Sequence, residues 1–282
     1  MNLDPSLVGT PIPSTSIDVT SRQTTNFAAA VADMNPRYFD DTRSTDFQAP
    51  PLFAVAVTWP VFEQARELVP PEVVVRMIHA GEHLIFHGPI RPDTRLDISG
   101  RVAAVQPTSA GALMTVKLEA WDQKGDPVFT EYTAAMFRGV ECPGEGQSVE
   151  QIPRLPGFDQ SADLLWETEI PIERRATYLY DGCTDIIFPI HTSPAFARFA
   201  GLGDIILQGT AMLAMTAREI VDRQAGSDPA RLAEIACRFS STITPGTSVK
   251  LQLIGEQRDL CGFRVRNAEG KTALTGSYRL IG

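Results

Sequence analysis

Histidine is scarce in this chain, with four in 282 residues. Three of them (His79, His83, His87) share one short stretch, which leaves His191 alone in the second half. Basic residues are also short: 25 Lys and Arg against 34 Asp and Glu, a net charge of −9. That balance argues against nucleic acid or an anionic membrane surface as a partner. The four cysteines (Cys142, Cys183, Cys237, Cys261) show no CxxC spacing, so reduced thiols are expected rather than a disulfide frame or a clustered zinc site. No apolar run is long enough for a membrane helix, because prolines break "PPLFAVAVTWPVF". The opening "MNLDPSLVGTPIPSTS" has neither a basic nor an apolar leader region. The expected setting is cytoplasmic, with no metal, no membrane and no nucleic-acid partner.

What is present is a core and a repeat. Hydrophobic residues make up 43% of the chain and charged residues 21%, the balance of a globular protein. "GPIRPDTRLDISGRVAAVQ" and "STITPGTSVKLQLIGEQR" share a Pro-centred turn, with Ile two positions upstream and alternating apolar residues downstream. Such a pattern predicts a turn feeding a half-buried strand. The interval from Pro92 to Pro245 is also the interval from Pro36 to Pro189. Two further pairs recur in the same order: "APPLFAVAV" with "DIILQGTAML", and "KGDPVFTEYTAAMFRG" with "EGKTALTGSYRLIG". Four matches in one order point to a duplicated domain. The stretch 141–165 is rich in Pro, Gly and polar residues and reads as a linker. Domain one is therefore expected at 1–140 and domain two at 166–282.

Each copy predicts a short helix ending at an Asn-Pro or Phe-Pro turn, then a loop, then a longer apolar segment. "GTAMLAMTAREIVDRQAG" is apolar on most faces, with Gly226 as its stop. A helix of that kind must be buried. Strands expected near 234–242, 246–258, 260–268 and 271–281 would wrap it. The fold class is α+β, an antiparallel sheet around a central helix.

This order resembles the hot-dog fold. It is closest to the MaoC-like (R)-specific enoyl-CoA hydratases and dehydratases in their double-hot-dog form, two tandem hot-dog domains making a pseudo-dimer. The family motif reads roughly Y-x-x-x-G-D-x-N-P-x-H, then Ala-Gly, then an ILHG-type helix start. The matching positions here are Tyr180, Asp185, Pro189, His191, Ala200-Gly201 and Ile206-Leu207-Gln208-Gly209. In the first copy "MIHAGEHLIFHGPIRPDT" looks like the family's HGE segment. Three positions depart. Asp185 and His191 are six apart rather than five, Phe188 precedes the proline instead of Asn, and Gln208 replaces His.

The resemblance implies interconversion of a trans-2-enoyl thioester and a (3R)-3-hydroxyacyl thioester, with a CoA or carrier-protein thioester as partner and no cofactor. It allows a homodimer of such chains. Asp185 and His191 would hold the water; as a bare spacing they are equally a Pro-centred turn. The Gly209 N–H would bind the thioester oxygen, unless Gly209 is small for packing alone. Tyr180 matches the motif tyrosine, in a binding or packing role. The first copy keeps Asp33, Asn35 and Pro36 but carries Tyr38 in place of the histidine, which fits a half that shapes the acyl tunnel. Read as a regular strand, 79–87 puts His79, His83 and His87 on one face, as polar contacts between the halves rather than a metal site. Cys183 has no activating neighbour and is expected to be inert.

Overall fold

The structure, a computed structural model, describes residues 1–43, 45–158 and 162–281. The first half runs β1 (Pro11–Val19), α1 (Ser21–Ala30), α2 (Phe53–Glu67), α3 (Pro71–Val74), β2 (Met77–Phe86), β3 (Thr94–Thr108), β4 (Gly111–Asp122) and β5 (Pro127–Arg138). A two-residue strand, β6 (Gln147–Ser148), lies in the connector. The second half repeats the plan: β7 (Leu164–Ile172), α4 (Ala176–Thr184), α5 (Pro194–Phe199), α6 (Gly209–Gln224), β8 (Leu232–Phe239), β9 (Thr247–Gln257), β10 (Leu260–Arg266) and β11 (Thr272–Leu280).

The strand order is β1-β3-β4-β5-β2-β8-β11-β10-β9-β7, with β6 on β3. Read from either edge inwards, each half has the same order. The halves join where β2 pairs antiparallel with β8, from Gly81 opposite Arg238 to Ile85 opposite Glu234. One continuous sheet results, and the duplication seen in the sequence becomes a pseudo-dimer. The outermost strands β1 and β7 both contain proline (Pro11, Pro13, Pro171), which an edge tolerates because one side of the strand needs no partner.

Helix α6 forms because Ala, Met and Leu favour helix, and Thr210–Ala217 are all buried. It stops at Gly226, whose φ of +64° suits glycine. Helix α2 packs on β1, β3, β4 and β5 in the first half. Helices α1 and α4 meet across the pseudo-axis, where the Phe27 and Tyr180 rings lie 5.8 Å apart, edge to face.

The connector is a pinned strap. Glu150 accepts from Arg101 (2.8 Å) and from the Tyr132 hydroxyl (3.1 Å), and the Pro156 carbonyl accepts from Ser277 (2.7 Å). Strand β7 begins at Leu164, inside the expected linker; residues 159–161 of that linker lie outside the described residues. Among the described residues no helix is long and apolar enough to cross a membrane.

Candidate active site

Pro189 opens a 3-10 turn that ends at His191, and the next residues lead into α5. The ring Nδ1 of His191 is 2.8 Å from the Ile206 carbonyl. A carbonyl only accepts, so Nδ1 carries the proton and Nε2 keeps its lone pair. Burial pushes the imidazole down to about 4, and the Ile206 bond opposes that shift. His191 is therefore neutral at physiological pH, the form a general base needs.

His191 lines a cavity of about 420 Å³. Its walls come from both halves: Trp59, Phe62 and Arg66 of α2, and Ile186, Phe188 and the start of α6. That size and its mainly apolar wall suit an acyl chain. Gly209 is also in the wall, as the first residue of α6. The Gln208 side chain does not cap the helix; it donates to the Thr177 carbonyl instead (3.1 Å). The first amides of α6 are thus free to donate. A Cβ on Gly209 would meet the Phe239 ring at 2.9 Å, so close packing also requires the glycine. Both readings of Gly209 hold together.

Asp185 is placed elsewhere. It caps the C-terminus of α4 in the left-handed region (φ +55°), its N–H bonded to Asp181 O, and its side chain is exposed. It is not part of the cavity wall. The inward slot belongs to Ile186, which is buried and lines the cavity. The six-residue spacing explains this: counting back the family's five positions from His191 reaches Ile186. The structure thus does not bring Asp185 and His191 together. Tyr180 is fully buried between the halves and does not reach the cavity wall. Its ring packs edge to face on Phe27, and its hydroxyl lies toward Thr210 of α6.

The three clustered histidines separate. His83 Nε2 pairs with Glu234 Oε1 of β8 at 2.6 Å, a contact between halves as expected. His87 meets Thr130 of its own half at 3.0 Å. His79 lines the cavity. The expectation of one shared face fails because β2 is bulged at Ala80: His79 lies opposite Ala135 and Gly81 opposite Ala134. One extra residue turns His79 to the side of Glu82 and away from the side of His83. Sequence alternation alone misses this, and the Ala-Gly pair after His79 is the signal that could have marked the bulge. Burial raises the Cys183 thiol, so it stays protonated.

Two family descriptions match the chain: "FAS1-like, dehydratase domain region" over residues 6–131 and "MaoC like domain" over residues 160–275. Its second half is a MaoC-like domain, its first a FAS1-like dehydratase region. Among its relatives is 3-hydroxyacyl-thioester dehydratase Y of Mycobacterium tuberculosis, 25% identical over 257 residues, covering 88% of this chain and 86% of that one. A UPF0336 protein of Streptomyces avermitilis is 29% identical over 151 residues, which is 50% of this chain and 99% of that one. Half of this chain thus corresponds to a whole protein there. The MaoC-like dehydratase from Phytophthora capsici has the same fold, with a TM-score of 0.88 at 19% identity, over 98% of this chain and 96% of that one. The double-hot-dog architecture expected from the sequence is the one observed.

Proposed function

We propose that this chain hydrates a trans-2-enoyl thioester to a (3R)-3-hydroxyacyl thioester and runs the reverse dehydration. The observation that carries this is the tautomer of His191: Nδ1 is tied to Ile206 O, and Nε2 remains a base in a thioester-sized cavity. Nε2 takes the proton of the water that adds at Cβ. The amide of Gly209 donates to the thioester oxygen as it gains enolate character. The second half supplies these groups, and α2 of the first half shapes the acyl tunnel. The substrate is a CoA or carrier-protein thioester. One chain holds one whole site, so a homodimer of chains is not needed for chemistry. In this reading Asp185 takes no part in holding the water, since its side chain is exposed and Ile186, not Asp185, lines the cavity.

Thioester hydrolysis on the same fold would call for a carboxylate on the central helix facing the substrate. The acids of α6 are Glu219 and Asp222, near its far end, and Glu219 is held by Arg218 (2.8 Å) and Arg223 (3.0 Å). Product analysis with trans-2-enoyl-CoAs tests the reading. 3-Hydroxyacyl-CoA of R configuration supports it. Free CoA would mean a thioesterase, and saturable binding without turnover an acyl-binding subunit.

A further inference from the structure

Hydration moves two protons: one leaves water, and one arrives at Cα. His191 accounts for the first. Arginines and hydroxyls aside, His79 and His191 are the only proton-transfer groups among the described residues of the cavity wall; the rest are amide or apolar. His79 comes from β2 of the first half, and its ring packs 4.9 Å from Phe239, the residue that packs against Gly209. It therefore stands beside the proposed thioester-oxygen site.

His79 has a buried acid behind it. Its Nε2 is 2.8 Å from Glu82 Oε1 and 3.1 Å from Thr133 Oγ1. Glu82 faces Glu131, and Glu131 Oε2 accepts from Thr58 of α2 at 2.5 Å. Both glutamates are buried, 3% and 2% exposed. Two anions cannot face each other there, so a proton lies between them. Burial raises Glu82 to about 8 and Glu131 well above the usual carboxylate range. Burial also lowers His79 to about 4. The His79–Glu82 contact is thus a neutral hydrogen bond rather than an ion pair, with the carboxyl as donor and Nε2 as acceptor.

The groups facing this cluster from other elements are uncharged. They are Cys237 of β8, whose thiol is held well above its usual range by burial, Tyr180 of α4, also raised by burial, Thr210 of α6, and the neutral His191, which would repel a proton on His79 if charged. The transferable protons of the cluster are those of Glu82 and Glu131.

We infer that His79 is the second proton-transfer residue of this active site, supplied by the first half and recharged from the Glu82–Glu131 pair. The inference rests on the hydratase reading. In hydration, His191 Nε2 takes a proton from water as the oxygen bonds to Cβ, and the π electrons pass to Cα and the thioester carbonyl. Cα then takes the Nδ1 proton of His79, on the ring nitrogen that Glu82 and Thr133 do not engage. Glu82 passes its proton to Nε2 in the same step. The carbonyl re-forms, leaving His191 protonated, Glu82 ionised and His79 protonated at Nε2; return of the Nε2 proton to Glu82 and of the His191 proton through solvent to His79 Nδ1 restores all three.

The test is steady-state turnover of a trans-2-enoyl-CoA by the full chain and by His79→Gln, Glu82→Gln and His191→Ala, with pH profiles and thermal melts. His79→Gln is expected to lower kcat by about a hundredfold and leave KM within about threefold. Glu82→Gln keeps the shape of a protonated carboxyl and is expected to fold. It should lower kcat about tenfold and lose the alkaline limb expected near pH 8 in the natural chain. If His79→Gln does not fold, Glu82→Gln decides alone. Natural kcat and pH profile in Glu82→Gln, with His191→Ala inactive, overturn the inference: His191 then performs both transfers. Natural turnover in His191→Ala overturns the hydratase reading itself, and the inference with it.

Discussion

Five residues before His191 stands Ile186, and five before Tyr38 stands Asp33. The second copy thus has the imidazole without the acid, and the first has the acid without the imidazole. Asp33 is 4% exposed and held by burial at about 6, with Asn35 N–H as the main opposing bond. These placements make the single substitutions informative. His191→Ala should lower kcat about a hundredfold or more, the scale of a lost general base, while Asp185→Asn should stay within about threefold. Steady-state kinetics on the two variants checks this. The acid limb of the natural chain should fall near pH 4, where His191 gains its proton, rather than near 6.5. Asp33 makes a prediction about stability. A carboxyl with a raised folded pKa costs nothing below its unfolded value of 3.8; the cost grows up to about pH 6 and is constant above. Asp33→Asn keeps an oxygen for the Asn35 amide, so it should raise Tm above pH 6 and not at pH 3. Melts at the two pH values, with turnover largely kept, are the expected result.

At the scale of elements, the start of α6 and the end of β8 are coupled through Gly209 and Phe239. Gly209→Ala puts a methyl 2.9 Å from the Phe239 ring. Overpacking of this kind typically costs about 1–3 kcal/mol. The variant should melt lower and turn over more slowly, and Phe239→Leu in the same chain should recover Tm. Recovery of Tm without kcat would show that Phe239, through its contact with His79, also matters to the site. Thermal melts and kinetics on the pair decide it.

The elements also show what the sequence could reveal. Helix α6 was legible because ten of its residues are buried and their types are apolar or small. The expected strands of the second half match β8 to β11 within a few residues, because their turns carry Pro-Gly or Asn signals. Strands β1 and β7 were not foreseen: prolines and polar residues disguise edge strands as loop. The position of His79 was hidden by one bulged residue, which reverses a face without altering composition. His191 and Gly209 were found from local motifs, and both line the cavity. Asp185 follows from the motif match with one extra residue before His191, and in the structure the position five before His191, Ile186, is the one that lines the cavity.

At the scale of the molecule, β2 and β8 are each other's neighbours at the centre of one sheet, and the cavity lies between the halves. The second half alone has lost both. Expressed from residue 162, so that β7 is kept whole, it would retain α6 in a core of Met212, Leu213, Ile220, Phe263 and Tyr278. That core should let it fold. Strand β8, however, becomes an open edge with unpaired N–H and C=O groups, which template association. Its natural partner offered Gly81 to Ile85 in antiparallel register, and a second β8 offers the same geometry. The fragment should therefore sediment as a concentration-dependent dimer. The wall built by Trp59, Phe62, Arg66 and His79 would be missing, so the dimer should not hydrate enoyl-CoA even with His191 in place. Adding the separately expressed first half should restore turnover as β2 displaces the second β8. Sedimentation and kinetics on the fragments, alone and mixed, read both effects. An active monomeric second half would show that the first half is dispensable, and with it the role of His79.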